Sequence, residues 1–388
     1  MKKIAVLGFG VIGAGVCRLL TENNAALCKE AGCKAELAYI CDLRDIPGNP
    51  YGNKHIKDFN IILNDPDVAV VVEVTGARRA AFELSKKALE AKKSVVTSNK
   101  EVVSEYGVEL LQAARENGVS YLFEASVGGA IPLIRTLRTS LATDTVDGIC
   151  GILNGTTNYI LTNMKEYGKT YSEALSEAQR LGYAEPDPTA DVEGLDACRK
   201  ISVLSAFVGG GLIPPEKITT KGISGMPDRA LPFAASLGGK IKLIACAERT
   251  EDGVSAWVRP CFVPFRNILH SVDGVNNGVM IKCRYASDIL LYGRGAGSIP
   301  TASAIISDVS EALSGRAEEL VWKRVENSPC MTKKRKAFVI TKGAPDALSG
   351  YGVTGSTSDG EYGACIIDDA RGIENASADI IAVYDVLE

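Results

Sequence analysis

The chain has 388 residues, 46% hydrophobic and 23% charged, which suits a soluble globular protein of two or three domains at about 100–200 residues each. With 43 basic and 47 acidic residues the net charge is −4, which argues against a nucleic-acid coat or a binder of anionic membranes. Only two histidines are present, His55 and His270, so a His-rich zinc site is excluded and any histidine base must be one of them.

Residues 3–7 (KIAVL) predict a short apolar strand, and 11–31 a helix with Val16, Leu19, Leu20 and Leu27 at helical spacing. A second strand is expected over 36–41, a short mixed segment over 55–64, and a buried parallel strand over 67–74, continuously apolar rather than alternating. A helix over 80–92, a strand over 94–97, a helix over 102–117 and a strand over 120–124 follow. This repeated order implies a Rossmann-type, doubly wound parallel sheet, assigned to residues 1–130. The texture then changes. Helices are expected at 131–142, 172–182 and 192–208, a strand at 146–153, and a loop entering a helix at 154–164. Strands dominate 240–292, so 131–300 reads as an α+β substrate and dimerisation domain with a mixed sheet. A helix at 300–314 is expected to pack back on the first domain, and a basic run, Lys333 to Lys336, to form a solvated linker.

The eleven cysteines are odd in number and include no CxxC pair, which predicts buried thiols in a reducing compartment rather than a disulfide framework or structural zinc site. The N-terminal apolar run breaks at Gly8 and Gly10 without a small-residue cleavage site, so it does not read as a signal peptide. No apolar stretch reaches the ~18 residues of a membrane span, and a cytoplasmic protein is expected.

Gly8-Phe9-Gly10-Val11-Ile12-Gly13 is a GxGxxG that follows a strand and opens a helix, the context a dinucleotide site requires. Its glycines allow a tight turn, close approach of the pyrophosphate and close helix–strand packing, while the helix N-terminus attracts the phosphates. Asp42 ends the second strand, where a carboxylate would bond ribose hydroxyls, but it lies further along than the usual spacing of about 20. Arg44 would instead meet a 2′-phosphate, so NAD and NADP both remain open; a loop charge pair is the competing explanation. Two further strand ends place Thr75-Gly76 and Ser98-Asn99-Lys100 at the edge where nucleotides bind.

The run 154–160 (NGTTNYI) is polar and turn-forming inside apolar surroundings, and 182–191 packs three acids and two prolines into one loop. Asp196 and Lys200 stand at i and i+4, on one helix face. By itself that pair is explained by a surface salt bridge. Taken together, GFGVIG, VVTSNK, FEASVGGAIP, GILNGTTNYIL, GYAEPDPTADVEGLDACRK and GRGAGSIPTASA resemble the homoserine dehydrogenase family, in the family's order, over about residues 1–314.

The resemblance implies reversible oxidation of L-homoserine to L-aspartate 4-semialdehyde with NAD or NADP, in threonine, methionine and isoleucine biosynthesis. It implies that Lys200 is the proton donor and acceptor, Asp196 its acidic partner, and Lys100 the lysine at the junction of nicotinamide and substrate. Substrate contacts would come from Glu185, Asp191, Gly155, Thr156 and Tyr183. A monovalent cation, Na⁺ or K⁺, would be held by the Glu124 side chain or backbone and the carbonyls of Val127, Gly129 and Ile131. A homodimer through the second domain is also implied. The chemistry agrees: a lysine ammonium both stabilises an alkoxide and donates a proton to it, so no histidine is required.

After residue 314 the resemblance fades. Strands are expected near 336–341, 364–368 and 380–387, and Gly352 sits in a glycine turn resembling one near the nicotinamide of short family members. Residues 301–388 are therefore expected to return to the nucleotide domain rather than to form a small βαββαβ regulatory unit. Two rivals are an aldehyde dehydrogenase using Cys150 as nucleophile, and a nonenzymatic nucleotide sensor, which would not need the cluster at 183–200.

Overall fold

The computed structural model describes residues 1–328, 335–376 and 379–388. Part of the basic run, Lys333 and Lys334, lies outside the described residues. Arg335 and Lys336 pair with Asp385 and Glu388.

The first sheet contains β1 (Lys2–Leu7), β2 (Ala35–Cys41), β3 (His55–Ile56), β4 (Val68–Glu73), β5 (Ser94–Thr97) and β6 (Tyr121–Leu122). Its order is β3-β2-β1-β4-β5-β6 and every pairing is parallel. Direction of travel reverses between β1 and β4, which opens a crevice at their carboxyl ends. Continuously apolar β4 is buried on both faces, as its composition requires. The helix expected over 11–31 divides into Val11–Glu22 and Asn24–Ala31. Asn24 Nδ2 donates to the Ala35 carbonyl at 2.9 Å, which ties the second piece to β2. The Ser298–Ser314 helix returns to this domain, where Ala302, Ile305, Val309 and Leu313 share a core with Ile4, Val16 and Leu20.

The second sheet contains β7 (Val146–Ile152), β8 (Thr219–Thr220), β9 (Gly239–Thr250), β10 (Gly253–Pro264), β11 (Asn276–Cys283), β12 (Ser287–Arg294), β13 (Ala337–Lys342), β14 (Val353–Ser358), β15 (Tyr362–Ile367) and β16 (Ile380–Val386). Its order is β12-β11-β7-β9-β10-β16-β13-β15-β14, with β8 beside β10. β8 and β16 run parallel to β10, and the other pairs are antiparallel. The Gly155–Tyr167 and Leu195–Gly209 helices pack against β9 and carry the candidate site residues.

Two expectations are corrected here. Residues 337–386 do not complete the nucleotide domain. Their strands extend the second sheet in the order β16-β13-β15-β14, the strand order of a βαββαβ unit, and among the described residues the 3₁₀ turns Pro345–Tyr351 and Ile373–Asn375 stand where that unit has its helices. The cause is apolar: Phe338 of β13 lies 5.2 Å from Phe262 of β10 and 5.8 Å from Tyr384, ring centre to ring centre. The second correction concerns the cysteines. Cys150 and Cys246 stand directly opposite across β7 and β9, Cα atoms 4.1 Å apart, and are joined by a disulfide. Cys150 is therefore not available as the nucleophile of an aldehyde dehydrogenase. No helix among the described residues is long and apolar enough to cross a membrane.

Candidate active site

A cleft of about 770 Å³ lies between the two domains. Ile12, Ser98 and Lys100 line it from the nucleotide domain; Gly155, Thr156, Tyr183, Glu185, Asp191, Asp196 and Lys200 line it from the second. Segments far apart in sequence are thus gathered in one place.

At its base Asp196 bridges two ammonium groups. Its Oδ2 accepts from Lys200 Nζ at 2.7 Å, and its Oδ1 lies 3.0 Å from Lys100 Nζ. Lys200 also donates to the Leu153 carbonyl at 2.8 Å. Asp196 lies in the first turn of its helix, where the dipole favours a carboxylate. Burial pushes its carboxyl up, but Lys200 and Lys100 outweigh burial and hold it below the usual range. The Asp196 charge in turn raises Lys100, against the opposing effect of burial.

Asn154, which the sequence shows only as part of a polar turn, organises the acids. It caps the Gly155–Tyr167 helix by accepting from Thr157 N–H at 2.8 Å. Its Nδ2 donates to Asp191 Oδ1 at 2.7 Å and to Asp196 Oδ2 at 2.9 Å. Burial raises the Asp191 carboxyl, Asn154 opposes the shift, and the Asp196 charge adds to it. Thr156 Oγ1 donates to the Tyr183 carbonyl at 2.7 Å and so holds the 183–185 rim, where Glu185 is exposed. Arg199 and Arg294 also line the cleft, and Arg199 pairs with Glu101 at 3.3 Å. The sequence signal for both was their place inside the GLDACRK and GRGAG runs.

The glycine turn fits a dinucleotide. Gly8 adopts φ +92°, and a Cβ there would meet the Val74 carbonyl at 2.8 Å. A Cβ at Gly13 would meet the Gly8 carbonyl at 2.1 Å. At Gly10 it would meet nothing within 4 Å, which leaves room for a phosphate at the uncapped N-terminus of the Val11–Glu22 helix. Phe9 N–H is engaged, donating to Asp42 Oδ2 at 2.8 Å. Arg44 donates to both oxygens of the same carboxylate, and its hydrogen bond holds Asp42 well below the usual range. Glu73 is wholly buried and accepts from Thr75 N–H and Oγ1 and from Thr97 Oγ1, so it sets the Thr75-Gly76 and Ser98 turns at one edge. Gly352 lies elsewhere. It ends the Pro345–Tyr351 turn against Asp368, beside β14, and is not among the cleft residues.

The 124–131 turn forms part of the cleft wall through Ala125, Ser126, Gly128 and Gly129. The Glu124 carboxylate is committed to Ile134 and Arg135 N–H at 2.9 and 2.6 Å, so its side chain is not a free cation ligand. The Ile131 carbonyl accepts from Leu133 N–H at 2.7 Å. The carbonyls of Val127 and Gly129 accept no hydrogen bond among the described residues.

Comparison with known proteins agrees with this geometry. The homoserine dehydrogenase family model matches residues 132–310, and the model of that enzyme's NAD-binding domain matches residues 8–124. The chain is 38% identical over 312 residues to a homoserine dehydrogenase of Pseudomonas aeruginosa, covering 80% of this chain and 72% of that protein. It is 40% identical over 314 residues to that of Synechocystis, covering 79% and 72%. The crystal structure of a homoserine dehydrogenase from Thiobacillus denitrificans superposes with a TM-score of 0.90 at 30% identity, covering 100% of this chain and 98% of that one. A hyperthermophilic archaeal homoserine dehydrogenase in complex with NADPH superposes with a TM-score of 0.69 at 28% identity, covering 82% and 100%. The chain belongs to the homoserine dehydrogenase family, whose members are NAD(P)-dependent oxidoreductases.

Proposed function

We propose that Lys200, Asp196 and Lys100 carry the reaction of this homoserine dehydrogenase, interconverting L-homoserine and L-aspartate 4-semialdehyde. The observation that carries the reading is one carboxylate shared by two ammonium groups at the base of the cleft. Lys200 spends two of its three N–H donors on Leu153 and Asp196, which leaves one for the substrate oxygen. In oxidation the neutral amine offers a lone pair at that third position and takes the hydroxyl proton; in reduction the ammonium returns it, while Lys100 stabilises the developing oxyanion. When bound, the nicotinamide cofactor supplies the hydride acceptor or donor. Asp191 and Glu185 receive the substrate ammonium, and Gly155, Thr156 and Tyr183 shape the pocket around it. Rates of NAD(P)H absorbance change at 340 nm with L-homoserine test this assignment; turnover only with phosphate and the semialdehyde would overturn it.

The cofactor side favours NADP. Both Asp42 oxygens are already occupied, whereas the Arg44 side chain is 70% exposed and supplies a cation for a 2′-phosphate. The carbonyls of Val127 and Gly129 suit a monovalent cation, with the Glu124 carboxylate behind them as a source of negative charge. Activity equal in choline, sodium and potassium salts would remove that cation from the function. A homodimer is proposed through the second domain, and exposed Tyr292 on the edge strand β12 supports it. Light scattering in solution measures it directly.

A further inference from the structure

Lys242 on β9 is only 1% exposed, and the reaction described above makes no use of it. A buried ammonium is costly unless acceptors surround it. Three do: Asn158 Oδ1 at 2.9 Å, the Val272 carbonyl at 2.7 Å and Asp273 Oδ1 at 2.7 Å. These acceptors belong to two pieces of chain that meet at the cleft. Asn158 lies in the first turn of the helix that begins at Gly155. Val272 and Asp273 open the loop that runs through Val275 into β11.

The two pieces are stitched further. Asn158 Nδ2 donates to the Val272 and Asn276 carbonyls, both at 3.1 Å, and Gly274 N–H donates to Thr162 Oγ1 at 3.1 Å. Gly155 and Val275 both line the cleft, and a Cβ on Gly155 would come within 2.7 Å of the Val275 carbonyl. Asn154, which orients Asp191 and Asp196, is the cap of the same helix.

We infer that Lys242 is a positioning residue for the substrate site: its ammonium draws Asn158 and the 272–273 segment together and so fixes Val275 against Gly155. The inference rests on the assignment of this cleft to L-homoserine. Burial pushes the Lys242 ammonium down to about 8; Asp273 opposes that shift, while Lys240 and Lys165 reinforce it. The other titratable groups around the clamp are His270 on the Ile268–Ser271 turn, whose ring burial keeps neutral in this range, and Glu166, which lies 4.0 Å from Lys240. The clamp is therefore complete below pH 8 and loosens as pH rises through that value.

Lys242→Met is expected to raise the KM for L-homoserine about tenfold, with the Kd for NADPH changed by less than about twofold. A homoserine KM within about twofold of wild type in a folded variant overturns the inference. Where Lys242→Met does not fold, Asp273→Asn is read instead. The wild-type KM for L-homoserine is expected to rise above pH 8, and Asp273→Asn to move that rise to lower pH, because Lys242 loses the charge that helps hold its proton. Identical KM–pH profiles in the two proteins overturn the inference. Amide hydrogen exchange at Gly274–Asn276 reads the clamp independently of substrate, and it should quicken in either variant. A wild-type protein inactive on L-homoserine, with quickened exchange in the variants, would overturn the substrate assignment and leave the clamp standing. Unchanged exchange would overturn the clamp alone.

Discussion

Lys200 donates to Asp196 at 2.7 Å from one turn further along the same helix, with side chains only 11% and 8% exposed. On a protein surface such a pair contributes little. Here Lys100 reaches the other carboxylate oxygen from a separate domain, so the pair becomes a charged array across the domain boundary. Replacing Lys200 by Met is expected to lower kcat about 10²–10⁴-fold, the usual scale for a proton-transfer group. Folding should survive because Lys100 still neutralises Asp196. Steady-state rates and a thermal melt check both halves; a near-normal kcat would transfer the role to another group.

Asp196→Asn tests the coupling. The Asp196 charge is the main cause that raises Lys100. Its removal lets Lys100 lose its proton at lower pH. The alkaline limb of kcat/KM for homoserine oxidation, above which Lys100 no longer stabilises the oxyanion, should therefore move to lower pH, alongside a fall in maximal rate. A limb that stays in place would show that no lysine of this array sets it.

Asp191 shifts the other way. Burial raises its carboxyl, so it reaches its neutral form at a higher pH than an ordinary aspartate. An uncharged acid no longer attracts the substrate ammonium. KM for L-homoserine should rise as pH falls through the raised value, while KM for the cofactor stays level. Asp191→Asn should give a high homoserine KM that no longer changes across that range. Retention of the wild-type slope would place the titrating acid elsewhere, with Glu185 the next residue to replace.

Arg44 is the test of cofactor choice. Arg44→Ala should reduce kcat/KM for NADP about 10–100-fold while affecting NAD much less, since a guanidinium pairs with phosphate but has no comparable partner on a ribose hydroxyl. The variant also frees Asp42 from the two hydrogen bonds of the Arg44 side chain, which leaves the backbone N–H groups of Phe9 and of position 44 as its partners. Use of NAD is then expected to improve relative to NADP. Equal losses for both cofactors would mean that Arg44 supports the turn rather than the phosphate.

Some of this was readable from residues alone. Buried parallel strands are continuous apolar runs, so β4 and its neighbours announced the first sheet, and the glycine turn announced its ligand edge. The spacing of Asp196 and Lys200 places them on one helix face but does not say whether that face is buried, because burial depends on the strands and loops that cover it. Pairings between distant segments were not readable. Phe338 finds Phe262, and Cys150 finds Cys246, only through a register fixed by both strands. Lys240 and Lys242 alternate along β9 in a way that suggests a solvent face, whereas Asp273 and Asn158 close over them. Local pattern carries no information about a partner that arrives from another part of the chain.

The two histidines close the mechanism from the other side. His55 Nε2 lies 2.9 Å from the Asp42 carbonyl, at the β2–β3 edge of the first sheet. His270 sits on the turn after β10, and burial lowers its ring. Neither lines the cleft. His55→Gln and His270→Gln should each keep kcat for L-homoserine within about twofold of wild type. The His55 variant should lose at most a little cofactor affinity, because glutamine can still donate to the Asp42 carbonyl. A collapse of kcat at unchanged melting temperature in either variant would bring a histidine back into the proton path and displace Lys200 from it.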